Sequence, residues 1–125
     1  MRAFVVEDDP DVRDTVADVL EMNGWTVQTA EDGIAALGCI HRTTPDLVIL
    51  DLLMPNLGGV EVLRLLRSTE TGRGIPVVVL TGAPVEDCVR KLASVVLVKP
   101  FNSAELMRVM GLLGAAPTAD IQADV

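Results

Sequence analysis

Five short apolar runs recur along the chain: Ala3 to Val6, Trp25 to Gln28, Leu47 to Leu50, Val77 to Leu80 and Val95 to Val98. Each has the length of a strand, and most are rich in Val, Ile or Leu. Between and after them, apolar residues fall at helical spacing: Val12, Val16, Val19 and Leu20; Ile34, Leu37 and Ile40; Val60, Leu63 and Leu66; Val85, Cys88, Val89 and Leu92; Leu106, Val109, Met110 and Leu113. The pattern predicts strand and helix alternating five times. Four of the runs show no apolar–polar alternation, so both of their faces need cover. That is the condition of a parallel sheet with helices on each side, and the class predicted is α/β, an open doubly wound sheet.

Local punctuation supports the boundaries. Asp9-Pro10 offers an N-cap and a first-turn proline, Asn23-Gly24 a helix stop, and Asn102 or Ser103 an N-cap ahead of Glu105. Gly58-Gly59 reads as a loop leading into a helix and not as a phosphate cradle, because no Gly-Lys-Ser/Thr follows. From Gly114 onward the apolar period is lost, and Pro117 would interrupt a continuing helix. One domain over residues 1–114 is expected, with 115–125 a flexible tail or the start of a linker. There is no internal repeat, low-complexity tract or second core.

Composition narrows the function. In 125 residues, half of them apolar, there is enough chain for one sizeable core. Ten basic against eighteen acidic side chains give a formal charge of -8, which opposes direct contact with nucleic acid or an anionic membrane. Only Arg2 precedes the first apolar run, which stops at Glu7, so neither a signal-peptide core nor a spanning segment is present, and a cytoplasmic setting is expected. Cys39 and Cys88 lie in apolar-periodic stretches outside any Cys/His cluster and read as reduced, semi-buried thiols. His41 reads as a surface residue near a helix end, and Trp25, Met107 and Met110 as packing residues.

The chemistry gathers where strands end. Glu7 and Asp8 follow the first strand, Asp51 the third, Thr81 the fourth and Lys99 the fifth; only the second ends without such a residue. Ligands of doubly wound sheets bind outside the carboxyl ends of the strands, and with order 2-1-3-4-5 the crevice lies between strands one and three. Taken singly, Asp51 could be a turn residue, Thr81 a loop cap and Lys99 a solvated strand exit; their joint placement argues otherwise. Three carboxylates in one crevice are costly unless a hard cation offsets them, and carboxylate oxygens suit Mg²⁺. An ionised Asp can attack phosphorus without a general base, while a metal and Lys99 offset charge on the transferring oxygens. Thr81 can donate its hydroxyl to a phosphoryl oxygen, with Gly82 leaving room and a backbone N–H beside it.

At these residues the chain resembles the receiver domains of two-component response regulators, the CheY-like family. The segments that carry the resemblance are Val-Val-Glu-Asp-Asp-Pro at 5 to 10, Asp-Leu-Leu-Met-Pro-Asn-Leu-Gly-Gly at 51 to 59, Leu-Thr-Gly at 80 to 82 and Val-Lys-Pro-Phe at 98 to 101. The likeness runs from about residue 2 to 113. It implies a flavodoxin-like (βα)5 fold with strand order 2-1-3-4-5. Asp51 becomes the phosphorylation site, and the metal set becomes Glu7 through water, Asp8, Asp51 and the backbone carbonyl of Leu53, with Mg²⁺ as the ion and Mn²⁺ able to replace it. Thr81 and Gly82 become the switch and Lys99 the phosphoryl-binding cation, while Asp9 caps the first helix. The implied partners are a sensor histidine kinase or histidine phosphotransfer protein and a downstream protein target. A receiver is a substrate and switch, not a turnover enzyme.

The chain departs from the family pattern in three places. The stretch from Thr81 to Lys99 is about one helical turn short, so the fourth of the five predicted helices should be truncated or irregular. Val96 stands where receivers usually carry an aromatic switch residue. Leu53 and Ala83 place apolar side chains where the family orients attacking water, which implies slow self-dephosphorylation. Two rival functions remain. Haloacid-dehalogenase-like phosphatases share the Asp, Mg²⁺, Thr and Lys, but need a second Asp where this chain has Leu53. A receiver-like docking module that is never phosphorylated is compatible with Val96 and the short helix.

Overall fold

The computed structural model describes residues 1–54 and 56–113. The expected tail lies outside the described residues. The strands are β1 (Arg2–Val6), β2 (Thr26–Ala30), β3 (Leu47–Asp51), β4 (Val77–Thr81) and β5 (Val95–Val98). The helices are α1 (Pro10–Met22), α2 (Gly33–Arg42), α3 (Gly59–Arg67), α4 (Glu70–Arg73), α5 (Asp87–Leu92) and α6 (Ser103–Leu112). All strand pairs are parallel, and the order is β2-β1-β3-β4-β5, the flavodoxin-like arrangement expected.

Strand side chains alternate between two buried layers. Ala3, Val5, Leu47, Ile49, Val78, Leu80 and Leu97 meet Val16 and Leu20 of α1 and Leu106, Val109 and Met110 of α6. The opposite set, Phe4, Val6, Val48, Leu50, Val77 and Val79, meets Ala36 and Ile40 of α2, Val62, Leu63 and Leu66 of α3, and Val89 of α5. Burial on both faces is why the central strands β3 and β4 read as unbroken apolar runs.

The caps fall where the sequence predicts. The Asp9 carboxylate accepts from the backbone N–H groups of Asp11 and Val12, and Asn102 and Glu105 form a reciprocal capping box. Asn23 ends α1, followed by Gly24 at φ 91°. Cys39 and Cys88 are free and half-buried.

Three expectations are corrected. The alternation is not a plain five pairs: α4 intervenes between α3 and β4, and its sequence Glu-Thr-Gly-Arg carries no apolar side chain that a period could reveal. Ile34 points outward, 63% exposed, and Ala36 takes the inward place beside Ile40. Trp25 does not open β2; it is buried in the layer of α1 and α6 one residue before the strand begins. The helix after β4 is indeed short, six residues in α5.

Candidate functional site

The carboxyl edge of the sheet brings together residues that are far apart in the chain. Asp51 is the last residue of β3 and Thr81 the last of β4; Glu7 and Lys99 directly follow β1 and β5. Glu7 is fully buried, and Asp51 and Thr81 nearly so, at 4% and 6% exposure. The Lys99 ammonium donates to Glu7 Oε1 at 2.8 Å and to Asp51 Oδ1 at 3.3 Å, bridging the two carboxylates. Carboxylate oxygens of Glu7, Asp8 and Asp51 all lie within 4.8 Å of one another. Asp8, in contrast to Glu7 and Asp51, is exposed to water.

Backbone contacts fix this arrangement. The Glu7 N–H donates to the carbonyl of Ala30 at the end of β2, and Arg13 of α1 donates to the Glu7 carbonyl at 3.1 Å. The Leu52 N–H donates to the Leu80 carbonyl, carrying the β3–β4 pairing one residue past Asp51. Gly59 opens α3 against the backbone of Asp51 and Leu52: a Cβ there would collide with the Asp51 carbonyl and come within 2.6 Å of Leu52 Cα. Sequence reasoning read Gly59 only as part of a loop and missed Arg13. The adjacent glycine pair was a signal for the first; nothing local marks the second.

Electrostatics follow from burial. Glu7 is pushed up from 4.5 to about 7, first by burial and then by its hydrogen bond with Asp51 and that residue's charge, against the downward pull of Lys99 and the Asp9 N–H. For Lys99, burial acts to lower the ammonium, but the hydrogen bond to Glu7 and the charges of Asp51 and Glu7 outweigh it and hold it above its ordinary value.

The remaining predicted residues are placed unevenly. Thr81 does not aim its hydroxyl at Asp51: it donates to the Ala83 carbonyl at 2.8 Å and accepts from the Ala83 N–H at 3.1 Å. Gly82 is exposed, and a Cβ built there meets nothing within 4 Å, so crowding does not call for glycine at this position. The Leu53 side chain is 77% exposed in the loop after β3. Asp9 stands outside the carboxylate trio as the α1 cap. Val96 is half-buried against the layer of α2, α3 and α5.

Residues 3–110 match the family profile of the response regulator receiver domain. The chain belongs to this family. The receiver is 43% identical over 117 residues to the response regulator MprA of a Mycobacterium species (strain KMS), covering 90% of this chain and 50% of that protein. To MprA of Mycobacterium leprae it is 42% identical over 118 residues, covering 90% and 51%. It therefore spans about half the length of the curated relatives it matches.

Solved structures agree on the fold. The chemotaxis response regulator CheY4 of Vibrio cholerae superposes with a TM-score of 0.85 at 28% identity, over 90% of this chain and 97% of that one. The response regulator TrrA of Thermotoga maritima, in complex with Mg²⁺–BeF, gives 0.82 at 32% identity over 90% and 97%. The receiver domain of a sensor histidine kinase from Pseudomonas aeruginosa, with a magnesium ion coordinated in its active-site cleft, gives 0.80 at 30% identity over 87% and 93%.

Proposed function

We propose that this receiver, residues 1–114, accepts a phosphoryl group on Asp51 and thereby switches its protein contacts. The observation that carries the proposal is the Lys99 ammonium bridging buried Glu7 and Asp51 beside exposed Asp8. An Asp51 oxygen attacks phosphorus of a phosphohistidine on a sensor histidine kinase or phosphotransfer protein. The P–N bond breaks, its electron pair stays with the imidazole nitrogen, and an acyl phosphate forms on Asp51. Lys99, already within reach of the carboxylate, offsets charge on the phosphoryl oxygens.

The donor set fits a divalent cation. Three carboxylates within 4.8 Å supply hard oxygens, and exposed Asp8 leaves a side open to water, as a partly hydrated Mg²⁺ requires. Glu7, Asp8, Asp51 and the Leu53 carbonyl would hold it, with Mn²⁺ able to replace it. Bound there, the cation supplies further neutralisation of the phosphoryl oxygens. Thr81 and Gly82 sense the phosphoryl group: the hydroxyl exchanges its Ala83 partner for a phosphoryl oxygen.

This is a switch that modifies itself, not a turnover enzyme. A downstream protein reads it, and a formal charge of -8 sets the domain against direct nucleic-acid or membrane contact. The setting proposed is cytoplasmic; among the described residues no helix is long and apolar enough to cross a membrane. Exposed Leu53 and the methyl of Ala83 offer nothing to orient attacking water, so the acyl phosphate is long-lived.

The test is incubation with acetyl phosphate, with and without Mg²⁺, followed by intact mass for wild type and Asp51→Asn. A Mg²⁺-dependent gain of one phosphoryl group, absent in the variant, is expected; its loss within seconds of donor removal opposes the long lifetime. No gain would favour a docking module that is never phosphorylated, the reading with which Val96 and the short α5 are compatible.

A further inference from the structure

The loop joining β3 to α3 carries Leu53, and it is fastened from an unexpected direction. At its base the Gly59 N–H donates to the Leu52 carbonyl at 3.0 Å. Its far limb lies against the first turn of α2, where a Cβ on Gly33 would come within 2.5 Å of the Leu57 carbonyl oxygen and of Val62 Cγ2. Between these points Asn56 takes the left-handed conformation, φ 66°, and its Nδ2 donates to Asp32 Oδ2 at 3.3 Å. The other oxygen of Asp32 accepts from the Ala35 N–H at 2.8 Å and caps α2.

Each of these two residues carries more than its local duty requires. A cap needs one acceptor oxygen, which a serine supplies. A left-handed turn position is most easily filled by glycine. Asp32 instead divides its two oxygens between a helix and a loop, and Asn56 contributes the amide that reaches back.

We propose that Asp32, through Asn56, is a positioning residue for the metal and phosphoryl site, holding the β3–α3 loop so that the Leu53 carbonyl faces the carboxylates. This rests on the metal reading given above. Asp32 touches neither phosphoryl group nor ion; it acts on the backbone that does, as outer partners of metal ligands do.

The test uses Mn²⁺ alone as the probe, titrated into the full chain and followed by the electron paramagnetic resonance signal of free Mn²⁺. Asp32→Ser keeps the α2 cap and removes the reach to Asn56; Asn56→Gly keeps the backbone conformation and removes the amide. Each should raise the Mn²⁺ dissociation constant about three- to tenfold. The double variant should be no weaker than either single one, because both break the same contact. The melting temperature of Asp32→Ser should stay within a few degrees of wild type, which separates positioning from general destabilisation. Wild-type affinity in Asn56→Gly overturns the inference even if Asp32→Ser fails to fold, and so do additive effects in the double variant. A wild-type chain that does not bind Mn²⁺ overturns the metal reading itself, and this inference with it.

Discussion

Replacing Glu7 by Gln keeps the shape of the side chain and an acceptor oxygen for Lys99 but removes a fully buried negative charge. In the folded chain the carboxyl is held up from 4.5 to about 7, so between those values the folded state binds more protons than the unfolded state. Stability must then fall as pH rises through that window, being greatest below the lower value. At ~1.4 kcal/mol per pH unit, the loss approaches about 3 kcal/mol at about pH 8. Lys99 does not offset this, because its ammonium is held above its ordinary value and stays charged throughout.

Glu7→Gln has no such titration. In chelator, the variant and wild type should melt together at about pH 5, while at about pH 8 the variant should be more stable by on the order of 10 °C. Titrating groups that do not touch Glu7 cancel in the difference between the two proteins. Mg²⁺ should narrow the gap at about pH 8, since a bound cation takes the place of the proton that Glu7 has lost. Melting temperatures read by circular dichroism across the pH range decide the matter. Parallel curves for the two proteins would refute the reasoning, because they would mean that the buried carboxyl is not held above its ordinary value.

Further predictions concern the residues around that carboxyl and the frame that holds it. Lys99→Met leaves Glu7 and Asp51 facing each other without a cation; because the lysine side chain is 27% exposed, a loss of about 2 kcal/mol at about pH 8 is expected in urea unfolding, shrinking towards pH 5. Gly59→Ala drives a Cβ into the Asp51 carbonyl and should cost about 2–3 kcal/mol by thermal melting. Arg67→Met strips the guanidinium from the carbonyls of Gly72, Ile75 and Leu92, which it meets at 2.6, 2.6 and 2.8 Å. At ~1–3 kcal/mol for each acceptor left unpaired, the unfolding free energy should drop by about 3 kcal/mol or more, with faster amide exchange in α5.

What the sequence discloses follows from how local each cause is. β3 and β4 are legible because burial on both faces writes an unbroken run of apolar residues, and Asp51 and Thr81 stand out because they close those runs. Asp9 and Asn102 are legible because capping is decided within three residues. The α4 turn is not, since its cap at Thr69 and its close approach at Gly72 leave no apolar trace. Ile34 misleads because a helix offers several faces at the same spacing, and only the tertiary packing chooses Ala36. The reach of Arg67 to Leu92 and the Asp32–Asn56 contact join residues 24 or more positions apart, and the raised Glu7 depends on desolvation, so no window of sequence contains their cause.

The proposed switch is shaped by what surrounds Thr81. Its hydroxyl is held on both sides by Ala83, so donating to a phosphoryl group on Asp51 would give up the bond to the Ala83 carbonyl and loosen the chain after β4. The end of α5 cannot follow freely: Arg67 fixes the Leu92 carbonyl, and Ser94 Oγ accepts from the Val77 N–H at 2.9 Å where β4 begins. Val96 offers no ring to swing inward, and it is already packed against the layer of α2, α3 and α5. Movement is therefore cheapest in Gly82–Glu86, an almost wholly exposed segment that precedes the short helix. On the proposed switch, that segment is where a partner would distinguish the two states, and the shortness of α5 leaves it exposed.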